Sequence, residues 1–113
     1  MDDSQIERRM QELRETAGKF AKAYAQKEYL EEFKKSKLAI LMKKYELEGH
    51  KTSAGQEREA RADPEYREML IAIQGATEES ERLRWELKVA EIGAEVWRTQ
   101  AANRRAERKG YGA

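Results

Sequence analysis

The chain has 113 residues, of which 40% are charged and 39% hydrophobic, and its mean hydropathy is −1.04. This composition is typical of long solvated helices rather than of compact enzymes, and a net charge of +1 does not by itself indicate a nucleic-acid partner. The chain has no cysteine, no apolar run of membrane-spanning length and an acidic N-terminus, so we expect a soluble, cytoplasmic protein without thiolate chemistry or membrane contact.

The first predicted element is a long helix at about residues 4–48. Its apolar residues recur at alternating spacings of three and four, and they are Ile6, Met10, Leu13, Ala17, Phe20 and Tyr24. The pattern breaks at Lys27 and resumes from Leu30 on a rotated face. This break predicts a stutter or a kink between Ala25 and Leu30.

An elbow with a possible short helix is predicted at about residues 49–62. Gly49 is the residue that a helix C-cap prefers, and Ser53 is the predicted N-cap of a short helix over residues 54–61. The single histidine, His50, has no neighbouring nucleophile or metal ligand, which favours a polar loop or capping role.

A second long helix is predicted at about residues 63–109, followed by a frayed tail at 110–113. Asp63 is the predicted N-cap, and Pro64 stands at the first helical position, where a missing N–H costs nothing. One apolar face, here called the α3 seam, comprises Tyr66, Met69, Ile73, Ala76, Ser80, Leu83, Leu87, Ala90, Ala94, Trp97 and Ala101. Leu70, Val89, Ile92 and Val96 widen the apolar face, so more than one neighbouring helix is expected.

These elements predict an all-α, coiled-coil-like protein with a single helical domain over residues 1–113. A folded-back pair of long helices would place Tyr45 near Tyr66 and Leu13 near Trp97, whereas an open V would leave the angle for other subunits. Because a hairpin of this length buries only a thin seam, we expect a homo-oligomer. Leu83, Leu87 and Trp97 are the candidate seam residues for the core or the oligomer.

The carboxylate clusters do not form a recognisable catalytic or metal pattern. They are Glu28, Glu31 and Glu32 on the first helix and Glu78, Glu79 and Glu81 on the second. The chain contains no Glu-x-x-His and no glycine-rich phosphate loop. We therefore expect no cofactor, no metal and no enzymatic activity.

The basic residues are more informative, because they are gathered on two separate segments. Five lysines and no acid lie between residues 33 and 45, and here form the lysine block: Lys34, Lys35, Lys37, Lys43 and Lys44. The C-terminal cluster between residues 98 and 109 carries Arg98, Arg104, Arg105, Arg108 and Lys109 against Glu107, whereas residues 57–82 carry eight acids against four arginines. Aromatic residues adjoin both basic segments, and stacking beside a cationic groove is how proteins hold single-stranded DNA without reading its sequence.

The basic segments thus suggest single-stranded DNA binding. The alternative to that interpretation is a coiled-coil protein-interaction module, such as an adaptor or an inhibitor of a host nuclease or defence complex, without DNA binding. The two interpretations differ in the lysine block. Outward-facing lysines favour DNA, whereas lysines paired with Glu31, Glu46 or Glu48 favour the interaction module.

The order of elements over residues 30–108 resembles small helical proteins that bacteriophages carry near their recombination genes. The resemblance rests on Lys37-Leu-Ala-Ile-Leu-Met-Lys-Lys-Tyr45, a glycine-bearing elbow, Arg61-Ala-Asp-Pro-Glu-Tyr66, Arg84-Trp85, Trp97-Arg98 and Arg104-Arg105. In layout the chain is similar to the UvsY-type recombination mediators.

That resemblance implies an oligomer that binds single-stranded DNA, contacts the single-strand-binding protein and helps to load a RecA-like recombinase in a bacterial host cell. It also implies an order among the DNA-binding residues. The lysine block would be the first place to expect DNA contact, and Arg104, Arg105 and Arg108 would be the second.

Overall fold

The computed structural model describes the backbone of residues 3–112 and the side chains of residues 3–110, all within or between three helices. Helix α1 spans Asp3–Leu47, α2 spans Ser53–Ala62 and α3 spans Pro64–Gly112. The described residues contain no strand, so the predicted all-α class is confirmed. The helix α3 continues to Gly112 where the sequence predicted fraying from residue 110, and Ala113 lies outside the described residues.

The contacts within the chain define two compact units. Unit 1 comprises Met1–Phe20 and Arg82–Ala113, and unit 2 comprises Ala21–Glu81. Each unit therefore contains one segment of α1 and one segment of α3. The folded-back alternative holds within each unit, since Tyr45 and Tyr66 pack on one cluster in unit 2, and Leu13 and Ala94 line one cavity in unit 1.

The end of α1 is a Schellman motif closed by Gly49. The Gly49 N–H donates to the Glu46 carbonyl at 3.1 Å, and the His50 N–H donates to the Tyr45 carbonyl at 3.1 Å. Gly49 has φ of 111°, the left-handed conformation that such a cap requires. The predicted glycine cap is therefore confirmed.

The start of α2 corrects the predicted capping residue by one position. The Thr52 side chain accepts a hydrogen bond from the Gly55 N–H at 3.0 Å, so Thr52, and not Ser53, is the N-cap. The Gln56 side chain donates to the His50 carbonyl at 2.9 Å, and the His50 ring stands edge-on to the Tyr45 ring. His50 thus has the loop role that the sequence favoured.

Gly49→Ala is expected to lower the free energy of unfolding by about 1–2 kcal/mol, because an L-residue is strained at this φ. Gly18→Ala is the matched control, since Gly18 lies inside α1 and a Cβ there meets no atom within 4 Å. That substitution is expected to stabilise the protein by about 0.5–1 kcal/mol. Urea denaturation of both variants checks the pair, and shifts of the same sign would contradict it.

The α3 seam is covered within the single chain. All eleven of its residues are buried or half-buried, and Ser80 and Leu83 are only 3% and 4% exposed. The predicted period of three and four residues along α3 is therefore confirmed. This coverage comes from the chain itself.

The predicted α1 pattern is confirmed in part, since Ile6, Leu13, Ala17 and Phe20 are half-buried, and lysines occupy further covered positions. Met10 and Tyr24, two predicted seam residues, are 37% and 46% exposed. In unit 2 the covered positions keep the spacing of three and four, as Ala23, Lys27, Leu30, Lys34, Lys37 and Leu41. The helix is continuous through residues 25–30. Long aliphatic lysine stems cover apolar surface while the ammonium reaches solvent or a carboxylate, which explains the apparent break at Lys27.

The core of unit 2 lies where its three helical segments meet. Leu41 of α1, Ala60 of α2 and Tyr66 of α3 are 1%, 0% and 6% exposed. Leu38, Met42 and Tyr45 pack around them. This cluster places the end of the lysine block beside the start of α3.

Candidate functional site

Four of the five residues in the lysine block form ion pairs with carboxylates. Lys37 Nζ lies 3.2 Å from Glu65 Oε2, and Lys44 Nζ lies 3.1 Å from Asp63 Oδ2, so both lysines reach from α1 to the start of α3. Lys35 and Lys43 pair within α1, with Glu32 and Glu46 respectively. The fifth, Lys34, is half-buried.

The acid-rich segment at residues 57–82 supplies two of these partners. A block that is free of acids along the sequence is therefore partly matched by acids from the start of α3 once unit 2 is folded. Apart from the Lys44–Asp63 pair, each of these ion pairs has a side chain that is 50% or more exposed, and such pairs are individually weak. Their main consequence is for the charge that the surface presents. The block offers a polyanion far less unbalanced positive charge than its composition suggests.

Asp63 is the most densely bonded of the site's charged groups, and its carboxylate is 3% exposed. Tyr45 Oη donates to Oδ2 at 2.7 Å, the Glu65 N–H donates to Oδ1 at 2.8 Å, and Lys44 Nζ donates to Oδ2 at 3.1 Å. These bonds, in that order of effect, lower the pKa of Asp63 from its ordinary 3.8 to about 2. The same contacts raise the pKa of Tyr45 and of Lys44, chiefly through the hydrogen bond to Asp63.

The backbone at Asp63 explains why one residue serves both helices. Its φ and ψ of −66° and 136° are extended, as expected before Pro64. The Asp63 N–H donates to the Ala60 carbonyl at the end of α2, and its carbonyl accepts from Tyr66 at the start of α3. The predicted N-cap is thus confirmed, but its contacts with Lys44 and Tyr45 are tertiary and are invisible in the local sequence.

The C-terminal cluster differs from the lysine block in its partners. Arg104, Arg105 and Arg108 are exposed, and the first two donate only weakly, at 3.4 Å, to carbonyl groups of their own helix. Over the described side chains, no carboxylate forms an ion pair with these three arginines. The cluster lies in unit 1 and the lysine block lies in unit 2.

The candidate seam residues have a role inside the chain. Leu83 is buried, and Leu87 and Trp97 are half-buried, all in unit 1. The Trp97 Nε1 is buried and finds no hydrogen-bond acceptor among the described residues. An unpaired buried donor is unfavourable, so the stabilising contribution of Trp97 comes from the apolar packing of its ring.

A second apolar face of α3 is exposed, and it defines the Trp85 stripe: Trp85, Val89, Ile92 and Val96. These side chains are 54%, 67%, 58% and 51% exposed. Their spacings of four, three and four place them along one line of the helix in unit 1. Sequence reasoning found three of the four as residues that widen the apolar face, but it treated Trp85 only as part of an Arg-Trp pair.

Helix α1 carries a less regular exposed apolar line in unit 2. Tyr29 and Phe33 stack with ring centroids 6.1 Å apart, and Ile40 and Leu47 follow at 58% and 78% exposure. Ser36 and Lys43 interrupt this line. The Trp85 stripe is the more continuous of the two faces.

In the described part of the chain, no group of three or more His, Asp or Glu side chains is placed to hold a metal ion. None of the helices described has the length of apolar sequence needed to cross a bilayer. The candidate site comprises three surfaces: the largely paired lysine block, the exposed Arg104, Arg105 and Arg108, and the exposed Trp85 stripe.

Comparison with known proteins adds no identification. No protein-family model, curated protein or solved structure matches this chain.

Proposed function

We propose that this chain is a non-enzymatic helical interaction module that binds another protein chain through the Trp85 stripe. The observation that carries the proposal is the coexistence of two apolar faces on α3. The seam is covered within the chain, whereas the Trp85 stripe is 51–67% exposed. A continuous apolar line of this kind, flanked by charged residues, is typical of a protein-binding surface.

The ion pairs of the lysine block support this function over DNA binding by that block. Lys43 pairs with Glu46, one of the acids that distinguish the two interpretations, and Lys37 and Lys44 pair with Glu65 and Asp63. A DNA strand would have to displace these carboxylates before it gained phosphate contacts. We therefore prefer the adaptor alternative for this chain.

A second candidate function, single-stranded DNA binding as in a phage-type recombination accessory protein, keeps one supporting observation. Arg104, Arg105 and Arg108 are exposed and make no ion pair with a described carboxylate. Such cations release counterions when they neutralise phosphates. In this version of the mediator hypothesis, the C-terminal cluster is the principal DNA-binding site, a role that the sequence analysis assigns to the lysine block.

A photo-crosslinking amino acid at position 89 tests the interaction module in cells that express the chain. Val89 is 67% exposed at the middle of the Trp85 stripe, and Glu91 on the same helix is an exposed control position outside it. We expect discrete protein adducts from position 89 and few from position 91. Equal yields from both positions, or no adducts, would overturn the proposed function.

Fluorescence anisotropy of a labelled single-stranded oligonucleotide tests the second candidate. If the three arginines carry binding, raising the salt from about 50 to about 200 mM lowers affinity roughly 20-fold, because the counterions released by three neutralised phosphates gain less entropy at higher salt. Replacement of Arg104, Arg105 and Arg108 by glutamate should then abolish binding, whereas glutamate at Lys34, Lys35 and Lys37 should leave most of it. Loss of binding with the lysine variant alone would restore the lysine block as the site.

A further inference from the structure

We propose that a second copy of this chain docks antiparallel on the Trp85 stripe, with the two α3 helices crossing between residues 90 and 91. The inference rests on the proposed interaction module and names its partner. It is carried by the stripe itself, by the charges on one of its flanks and by a glycine on the other.

The spacing of the stripe makes it complementary to itself in the antiparallel direction. With the centre between residues 90 and 91, Val89 faces Ile92 of the second copy, and Trp85 faces Val96 of the second copy. The two-fold axis repeats each contact, so four apolar layers form from four residues of each chain. The larger indole meets the smaller valine in both outer layers.

The charges flanking the stripe favour this direction. Lys88 and Glu95 are exposed, lie seven residues apart and share one flank of the stripe. In the antiparallel register each Lys88 faces Glu95 of the second copy, which gives two ion pairs of opposite sign. In a parallel register Lys88 would face Gly93, and Glu95 would face Gln100, so neither charge would gain a partner.

Glu95 is available for this exchange. Its ion pair with Arg98 is long, at 3.6 Å, and both side chains are about two-thirds exposed, at 67% and 66%. Lys88 Nζ lies 5.3 Å from the centre of the Trp85 ring, which already holds the ammonium beside the stripe. An exposed pair of this length contributes little, so replacing it across the dimer costs little.

Gly93 lies on the other flank, and the single chain does not explain it. A Cβ at this position would meet nothing within 4 Å, and the backbone φ there is not positive. Glycine is also a poor residue for the interior of a helix. In the antiparallel pair Gly93 of one copy lies near Trp85 of the second copy. The missing side chain at Gly93 leaves room for that indole.

Charge exchange in the full-length chain tests both the partner and its direction by sedimentation equilibrium at low salt. K88E and E95K are each expected to weaken dimerisation roughly fivefold or more, because each places two pairs of like charges across the interface. The double variant K88E/E95K restores opposite charges and should return to within about twofold of the wild-type dissociation constant. Helix content, measured by circular dichroism, should stay unchanged in all three variants.

The outcomes separate this inference from the proposed function. Additive weakening in the double variant would overturn the antiparallel direction. A wild-type chain that stays monomeric at all concentrations, or a dimer that survives Val89→Glu, would overturn docking of a second copy. If position 89 then still crosslinks to a different protein, the interaction module stands and only its partner changes.

A spectroscopic measurement locates the contact independently. In a Trp97→Phe background Trp85 is the sole tryptophan, and its side chain is 54% exposed in the single chain. Its emission should shift to shorter wavelength as concentration rises through the dimer transition. A dimer that forms without this shift would place the interface elsewhere and overturn the proposal.

Discussion

Replacing Leu41 by alanine is expected to lower the free energy of unfolding by about 3 kcal/mol, within a range of about 2–5 kcal/mol. Leu41 is 1% exposed and is the largest fully buried side chain in the described residues. It contacts the cluster that joins α1 to Ala60 of α2 and Tyr66 of α3. Truncation removes apolar burial and leaves a cavity at the place where the three helical segments of unit 2 meet. Urea denaturation followed by circular dichroism measures the loss.

The adjacent Ile40→Ala is the matched control for this prediction. Ile40 has the same number of side-chain carbons but is 58% exposed, so its truncation should change the free energy of unfolding by only about 0.5 kcal/mol. Alanine also favours a helix at an exposed position. Equal losses from the two truncations would mean that Leu41 is not the centre of the core.

The helical class and the α3 seam were predictable from the sequence because both depend on local spacing. Eleven small or apolar residues at alternating steps of three and four leave one face of α3 to be covered, and the folded chain covers it. The start of α3 was equally legible, since Asp63 and Pro64 act on the first turn that follows them. Only the extent of the helix at its C-terminal end was underestimated.

The register of α1 around Lys27 was only partly predictable, because an apolar pattern does not count lysine among the residues that can be covered. Lys27 and Lys37 are only 20% and 25% exposed at the side chain, and they occupy positions that an apolar pattern would assign to leucine. Their stems provide the apolar contact and their ammonium groups reach outward. A hydrophobic pattern read from side-chain type alone therefore shows a break where the helix has none.

The unbalanced charge that the lysine block presents depends on contacts between residues that are distant in sequence. Lys37 and Glu65 are far apart in sequence, and so are Lys44 and Asp63, yet each pair meets within 3.2 Å. Composition can count charges along a segment, but only the fold decides which charges remain unbalanced. The same limit applies to the two apolar faces of α3, since the sequence shows both and the fold determines that only one is covered.

Asp63→Asn is expected to destabilise the protein above about pH 4 and to have progressively less effect as the pH falls toward 2. Because the folded state lowers the pKa of Asp63 from 3.8 to about 2, the charged carboxylate stabilises the fold fully above the unfolded-state pKa. That stabilisation is lost as the carboxylate is protonated on the way down to the folded-state pKa. Thermal unfolding at pH 6 should show a melting temperature lower by roughly 5 °C or more for the variant, and the gap should close near pH 2.

Tyr45→Phe provides the companion test, because the Tyr45 hydroxyl is the leading cause of the lowered pKa of Asp63. The phenyl ring keeps the apolar contact with the Leu41 cluster, while the hydrogen bond of 2.7 Å is lost. The pKa of Asp63 should therefore rise, and the acid-induced loss of stability should begin at a higher pH than in the wild type. If the dependence of stability on pH below about pH 4 were the same in both variants as in the wild type, Asp63 would not link α1 to the start of α3. Two results together would identify this single carboxylate as the junction that holds the elbow in place. In Tyr45→Phe the acid-induced loss of stability would begin at a higher pH, and in Asp63→Asn the difference in melting temperature from the wild type would vanish near pH 2.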